Sequence, residues 1–260
     1  MIDAIPTPDH SLATPNGSAA WEESRQAPDP VPTAPGAPDG SGVGDDPAER
    51  PVRILGIGGT TSAKSWSLVP LQAALAKARE QGCETTLATV YDLNLPLFHT
   101  EWRLEDYPPT LAWLLDEVRQ ADGLIIISPT YHGTISGAIK NVLDTLIFLG
   151  WDEPPYLAGK PVGLMAYGGM TAMGVLHALT NCVRGLKGIA MPTHIAVPED
   201  AIDRSRVTLN SPKIEHRLDL MVSELVSFAG HLRGRVTRPG IVVPTPAMSS
   251  PPPVKRTSKE

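Results

Sequence analysis

The chain has 260 residues, a formal net charge of −6 at pH 7, a pI of about 5.6 and two cysteines, Cys83 and Cys182. An acidic balance without a basic stripe argues against a nucleic-acid partner, and two cysteines without ligand spacing argue against a disulfide framework or a cysteine-built metal site. No apolar run reaches the ~18 residues of a membrane span, and the N-terminus carries neither a signal-peptide nor a transit-peptide pattern, so a reducing cytoplasm is expected.

Residues 1–50 hold nine prolines and residues 239–260 hold six more, 15 of the 27 in the chain. Segments so poor in large apolar side chains do not offset the entropy of ordering and are expected to be disordered tails. That leaves residues 51–238 as one domain, ample for a sizeable core.

Within it, Val52–Gly58 reads as a first strand. Ser65–Gln81 reads as a helix with Leu68, Leu71, Leu75 and Ala78 on one face and a stop at Gly82. Thr85–Tyr91 alternates as a second strand, and Pro109–Gln120 opens as a helix on a proline. Gly123–Ser128 is an apolar third strand, followed by a helix over Ser136–Leu149. Pro161–Tyr167, a helix over Thr171–Lys187 and a strand over Pro192–Val197 continue the alternation. Ile214, Leu218, Met221, Val222, Leu225, Ala229 and Leu232 mark the apolar face of a last helix. Five strands alternating with helices predict an α/β, doubly wound parallel sheet in the flavodoxin-like order 2-1-3-4-5.

Three loops follow strand ends, where ligands bind in such sheets. The first is Gly56-Ile57-Gly58-Gly59-Thr60-Thr61-Ser62-Ala63-Lys64-Ser65-Trp66-Ser67, rich in small and hydroxyl residues at a helix start. Loop amides, hydroxyls and the positive end of a helix suit a phosphate. A dinucleotide fingerprint fails because Thr61 stands where its third glycine belongs. A nucleoside-triphosphate loop is a near miss, with Ala63 in place of the glycine before Lys64-Ser65. The second loop is Ser128-Pro129-Thr130-Tyr131-His132-Gly133-Thr134-Ile135-Ser136-Gly137, running into Ala138-Ile139-Lys140-Asn141-Val142-Leu143-Asp144. The third is Ala166-Tyr167-Gly168-Gly169-Met170-Thr171-Ala172-Met173-Gly174. Glycines at such turns let backbone approach a flat ring.

The second loop resembles the Pro-x-Tyr-(Asn/His)-Gly-(Ser/Thr)-Ile-(Pro/Ser)-Gly-x-(Leu/Ile)-Lys-Asn signature of the NADPH-dependent FMN reductase family. The resemblance spans about residues 52–200. It implies a flavodoxin-like fold, FMN and NADPH as cofactors, and an oxidoreductase passing electrons to free flavin, a quinone or an azo compound. It also implies that Thr60, Thr61, Ser62, Ser65 and Ser67 hold the FMN phosphate, with Ser62 replacing the family's arginine and Lys64 as a point charge nearby. Pro129, Thr130, Tyr131, His132, Gly133, Tyr167, Gly168 and Gly169 are implied to surround the ring. The cofactor carries the hydride chemistry, so no catalytic acid–base pair and no metal are expected. The resemblance further implies a homodimer or homotetramer, with apolar Ile147, Phe148, Leu149 and Trp151 suited to an interface. A flavodoxin-type electron carrier and a degenerate triphosphate binder are the competing readings.

Overall fold

The computed structural model describes residues 50–169 and 171–233, so the expected tails, Arg50 apart, lie outside the described residues. Chain order begins β1 (Arg53–Gly58), α1 (Leu68–Glu80), β2 (Glu84–Thr89), α2 (Val90–Leu93) and α3 (Pro109–Gln120). It continues β3 (Gly123–Tyr131), β4 (Thr134–Ile135), α4 (Gly137–Thr145), β5 (Pro161–Tyr167), α5 (Ala172–Gly185) and β6 (Ile189–Val197). A short ribbon, β7 (Ile202–Asp203) with β8 (Thr208–Leu209), precedes α6 (Pro212–Leu232).

Five parallel strands stand in the order β2-β1-β3-β5-β6, the flavodoxin-like order expected. The strand count needs a correction: the sheet has six strands, because β3 runs on through Tyr131 and pairs antiparallel with β4. A two-residue strand leaves no periodicity to read in a sequence.

Alternation along β3 builds both cores. Leu124 and Ile126 face the cluster packed by α3, α4 and α5, while Ile125 and Ile127 face the cluster packed by α1 and α6. All four are fully buried, as a doubly covered parallel strand requires. The amphipathic stripes land as expected: Leu68, Leu71, Leu75 and Ala78 of α1 are buried, as are Ile214, Leu218, Met221, Val222, Leu225 and Ala229 of α6. Pro109 and Pro212 open α3 and α6 at the first turn, where a missing N–H costs nothing. Thr89 and Ser136 cap α2 and α4 through side-chain oxygens that accept the Asp92 and Ile139 amides at 3.0 and 3.2 Å.

Candidate functional site

The β1–α1 loop holds the densest set of unused donors. Leu68 and Val69 N–H turn back onto the Ser65 and Trp66 carbonyls, and the next residue, Pro70, has no N–H. The start of α1 therefore offers little to an anion. Instead, the amides of Thr60, Thr61, Ser65 and Ser67 make no hydrogen bond to another described residue. Loop amides left unpaired in this way are available to an anion.

The hydroxyls divide in the same way. Thr60 Oγ1 accepts the Ser62 amide at 3.2 Å, and Ser62 Oγ accepts the Lys64 amide at 3.3 Å, so both serve the loop's own bends. The Thr61 hydroxyl is exposed and pairs with no described residue. Ser65 and Ser67 are almost fully buried, with Oγ atoms 2.9 Å apart. One proton is used inside this pair, and the second has no acceptor among the described residues.

The second loop is a β-hairpin. Tyr131 pairs with Thr134, leaving His132 and Gly133 as a two-residue turn with φ of 50° and 80°. Both values are left-handed, the combination of a type I′ turn that favours glycine at its second position. Among the described residues, a Cβ on Gly133 would meet nothing nearer than Thr171 Cβ at 4.0 Å, so these leave open space beside the turn. The His132 and Gly133 amides pair with no described residue. Tyr131 is 51% exposed, Thr130 is half-buried and Pro129 is buried. Ser128 Oγ accepts the Ser136 amide at 3.0 Å and draws the base of the hairpin together.

The third loop is joined to the second. Thr130 Oγ1 donates to the Tyr167 carbonyl at 3.1 Å. Gly168 has φ of 144°, and a Cβ there would lie 2.7 Å from Thr130 Oγ1. Gly168 is thus required by the junction of β3 and β5. A Cβ on Gly169 would meet nothing within 4 Å among the described residues. The Tyr167 ring packs into the α1–α6 side of the sheet and against the small cluster of Val69, Ile202 and Val207. Its hydroxyl is buried without a partner among the described residues.

Other chemistry lies elsewhere. No group of metal-ligating side chains forms among the described residues. Burial pushes the Cys83 and Cys182 thiols up, away from thiolate reactivity. Burial pushes the His194 imidazole down, and its Nε2 has no partner among the described residues. A cavity of about 300 Å³ opens at the other end of the sheet beside Arg53, Glu84, Thr86, Glu117 and Gln120. Its Arg53 already bonds Glu84 and Gln120, at 2.8 and 3.0 Å. No described helix is long and apolar enough to cross a membrane.

The NADPH-dependent FMN reductase family matches residues 52–201, more than half of the 260. The chain belongs to this family. Its relatives include the FMN-dependent NADPH-azoreductases of Staphylococcus haemolyticus, 35% identical over 152 residues, and Staphylococcus aureus, 36% identical over 154. The matches cover 55% of this chain and 78% and 79% of those proteins. Among solved structures, FerB, an NAD(P)H:acceptor oxidoreductase from Paracoccus denitrificans, gives a TM-score of 0.55 at 20% identity over 70% of this chain and 98% of that one. RosB gives 0.55 at 18% identity over 80% of this chain and 98% of that one. These likenesses establish the flavodoxin-like fold.

The protein is an NAD(P)H-dependent FMN oxidoreductase. The carrier and triphosphate readings give way to this match. FMN, when bound, supplies the hydride-accepting chemistry, and the protein supplies binding and orientation. The residues present fit FMN: unpaired amides and a spare hydroxyl proton suit its phosphate, and the open turn at Gly133 suits its ring.

Besides β4 and the short helix α2, which replaces the expected end of the second strand at Val90 and Tyr91, two further features escaped the sequence reading. One is the β7–β8 ribbon, whose strands are two residues long. The other is an aromatic ladder in the loop after β2. His99 stacks on Trp102 at 5.4 Å, Trp102 meets Tyr107 edge-on at 5.3 Å, and Tyr107 meets Phe148 at 5.6 Å. Asn141 anchors that loop, accepting the Phe98 amide at 2.7 Å and donating to the Pro96 carbonyl at 2.8 Å.

Proposed function

We propose that FMN lies across the carboxyl end of the sheet, with its phosphate in the loop of residues 59–67 and its ring beside the His132–Gly133 turn and residues 167–169. The unpaired amides of Thr60, Thr61, Ser65 and Ser67 support the phosphate placement most directly. Tyr131 gives the ring or the nicotinamide an exposed aromatic face. NADPH is the donor and a small planar oxidant the acceptor, with an azo compound preferred over a quinone or free flavin because the relatives are azoreductases. We assign the activity to residues 51–238, acting as a homodimer through the exposed Ile147 and Trp151. The two unpaired cysteines support a cytoplasmic setting.

The test is flavin content followed by anaerobic bleaching with NADPH. Reoxidation of the bleached protein by an azo dye, a quinone or free FMN then ranks the acceptors. Gly133→Ala carries the strain of the left-handed turn without a branch and Gly133→Val adds the branch, so Gly133→Val is expected to abolish flavin retention and Gly133→Ala to lose far less, with circular dichroism showing both folded. A folded Gly133→Val protein with full flavin and normal bleaching would overturn the ring placement. Fastest reoxidation by quinone or flavin would overturn the azo assignment alone.

A further inference from the structure

We propose that Arg204, carried at the tip of the β7–β8 ribbon, is the cation that neutralises the FMN phosphate. The inference rests on the phosphate placement above. A dianion in the 59–67 loop meets many N–H and hydroxyl donors and one local cation, the exposed Lys64. Position 62, where the family resemblance places an arginine, holds serine.

The ribbon brings a guanidinium to the Trp66 side chain of this loop from another part of the chain. Arg204 lies over the Trp66 ring, its guanidinium carbon 5.5 Å from the ring centre, within cation–π range. Trp66 separates the two buried serines, Ser65 and Ser67. The contact is built into the fold: Ile202 and Val207 of the ribbon pack on Val69 of α1, and Trp66 packs against that cluster. The tip is pre-shaped by Asp203, whose Oδ1 accepts the Ser205 amide at 2.9 Å, the Ser205 hydroxyl at 2.6 Å and the Arg206 amide at 3.2 Å. That carboxylate therefore serves its own turn. Arg204 donates to Glu199 from Nη2 at 3.1 Å in an ion pair exposed on both sides. Such a pair is weak in water, and a guanidinium has five donors, so a phosphate can engage the rest of the fork. Arg matches a phosphate with a fork where Lys64 offers a point charge.

The experiment titrates flavin-stripped full-length protein with FMN and with riboflavin, which lacks the phosphate, following flavin fluorescence. Wild type, Arg204→Gln, Arg204→Lys and Ser65→Ala are compared, with thermal melts as a fold control. Arg204→Gln is expected to weaken FMN about tenfold or more, the effect of losing one charge-assisted contact. Riboflavin affinity should stay near wild type, and Arg204→Lys should recover part of the loss. Unchanged FMN affinity in Arg204→Gln, with a loss in Ser65→Ala, would sink the Arg204 assignment and leave the phosphate site standing. Equal losses for FMN and riboflavin would show that Arg204 merely holds the ribbon, and would also sink it. No change in either variant would overturn both the assignment and the phosphate placement beneath it.

Discussion

The two ends of the parallel sheet are finished in opposite ways. At the amino end, polar groups close on one another. Asp122, just before β3, takes two bonds of 2.7 Å from the Arg50 guanidinium and one of 2.9 Å from the Arg53 amide. Lys160, just before β5, donates to the Arg119 and Ala121 carbonyls at the end of α3. Arg233, after α6, bonds the Arg50 carbonyl and ties the end of the described fold to its beginning. At the carboxyl end, amides of Thr60, Thr61, Ser65, Ser67, His132 and Gly133 have no partner within the described protein. Groups paired within the protein serve the fold, whereas amides left to solvent, together with those of buried Ser65 and Ser67, are open to a ligand, which the proposed placement makes FMN.

Breaking the satisfied end should produce the largest effect. The Asp122 side chain is only 6% exposed, and removing its cation leaves a buried carboxylate without its charge partner. Arg50→Leu is expected to cost about 3 kcal/mol, the lower part of the range for breaking a buried pair, because Arg50 itself reaches solvent. Urea denaturation reads this loss, and flavin titration of the folded variant should return the wild-type dissociation constant. A changed FMN affinity at native stability would contradict the division of labour between the two ends.

The unsatisfied end should respond in the reverse sense. Ser65→Ala removes one hydroxyl of the buried pair. If the spare proton meets the phosphate, FMN binding weakens by about 2 kcal/mol, the worth of a bond to a charged group. Stability of the flavin-free protein should fall by about 1–3 kcal/mol, because Ser67 Oγ stays buried and loses its partner. Flavin titration beside apoprotein melts decides it, and a large apoprotein loss with unaltered FMN binding would make Ser65 a folding residue.

This contrast explains what could be read from the sequence. Stripes such as Leu68-Leu71-Leu75 and the run Leu124–Ile127 report burial directly, so the sheet order and both helical layers were legible. The glycine-rich loops were legible as places but less so as reasons. Gly58 is fixed by packing: a Cβ there would lie 2.4 Å from Ile127 Cγ2 and 2.8 Å from Leu71 Cδ2. Gly168 is fixed by Thr130, and Gly133 by its left-handed turn beside open space. The same letter serves three purposes, and only the surroundings separate them. The helix-dipole argument for the first loop also changed, because Pro70 and two turned-back amides leave the donors in the loop preceding α1. Arg204 lies 138 positions beyond Trp66, and no local pattern connects them.

The smallest expected effect sharpens the picture of the closed end through pH. Burial pushes the Lys160 ammonium down to about 8, against partial support from Asp122 and further opposition from Arg50. In the unfolded chain the same amine keeps its proton to about 10.4. Between these values the unfolded state binds more protons than the folded one, so the free energy of unfolding rises as pH rises through that window. Well below pH 8 both states are protonated and this group adds no pH dependence. From pH 7 to pH 9 its contribution should grow by about 1 kcal/mol. Other groups titrate over the same range, so the measurement is a difference. The stability gap between wild type and Lys160→Met, by urea denaturation, should be about 1 kcal/mol larger at pH 9 than at pH 7. A gap that stays constant would mean that the buried amine titrates as in water. A gap that narrows would mean that the Arg119 and Ala121 carbonyls hold the charged form more tightly than burial opposes it.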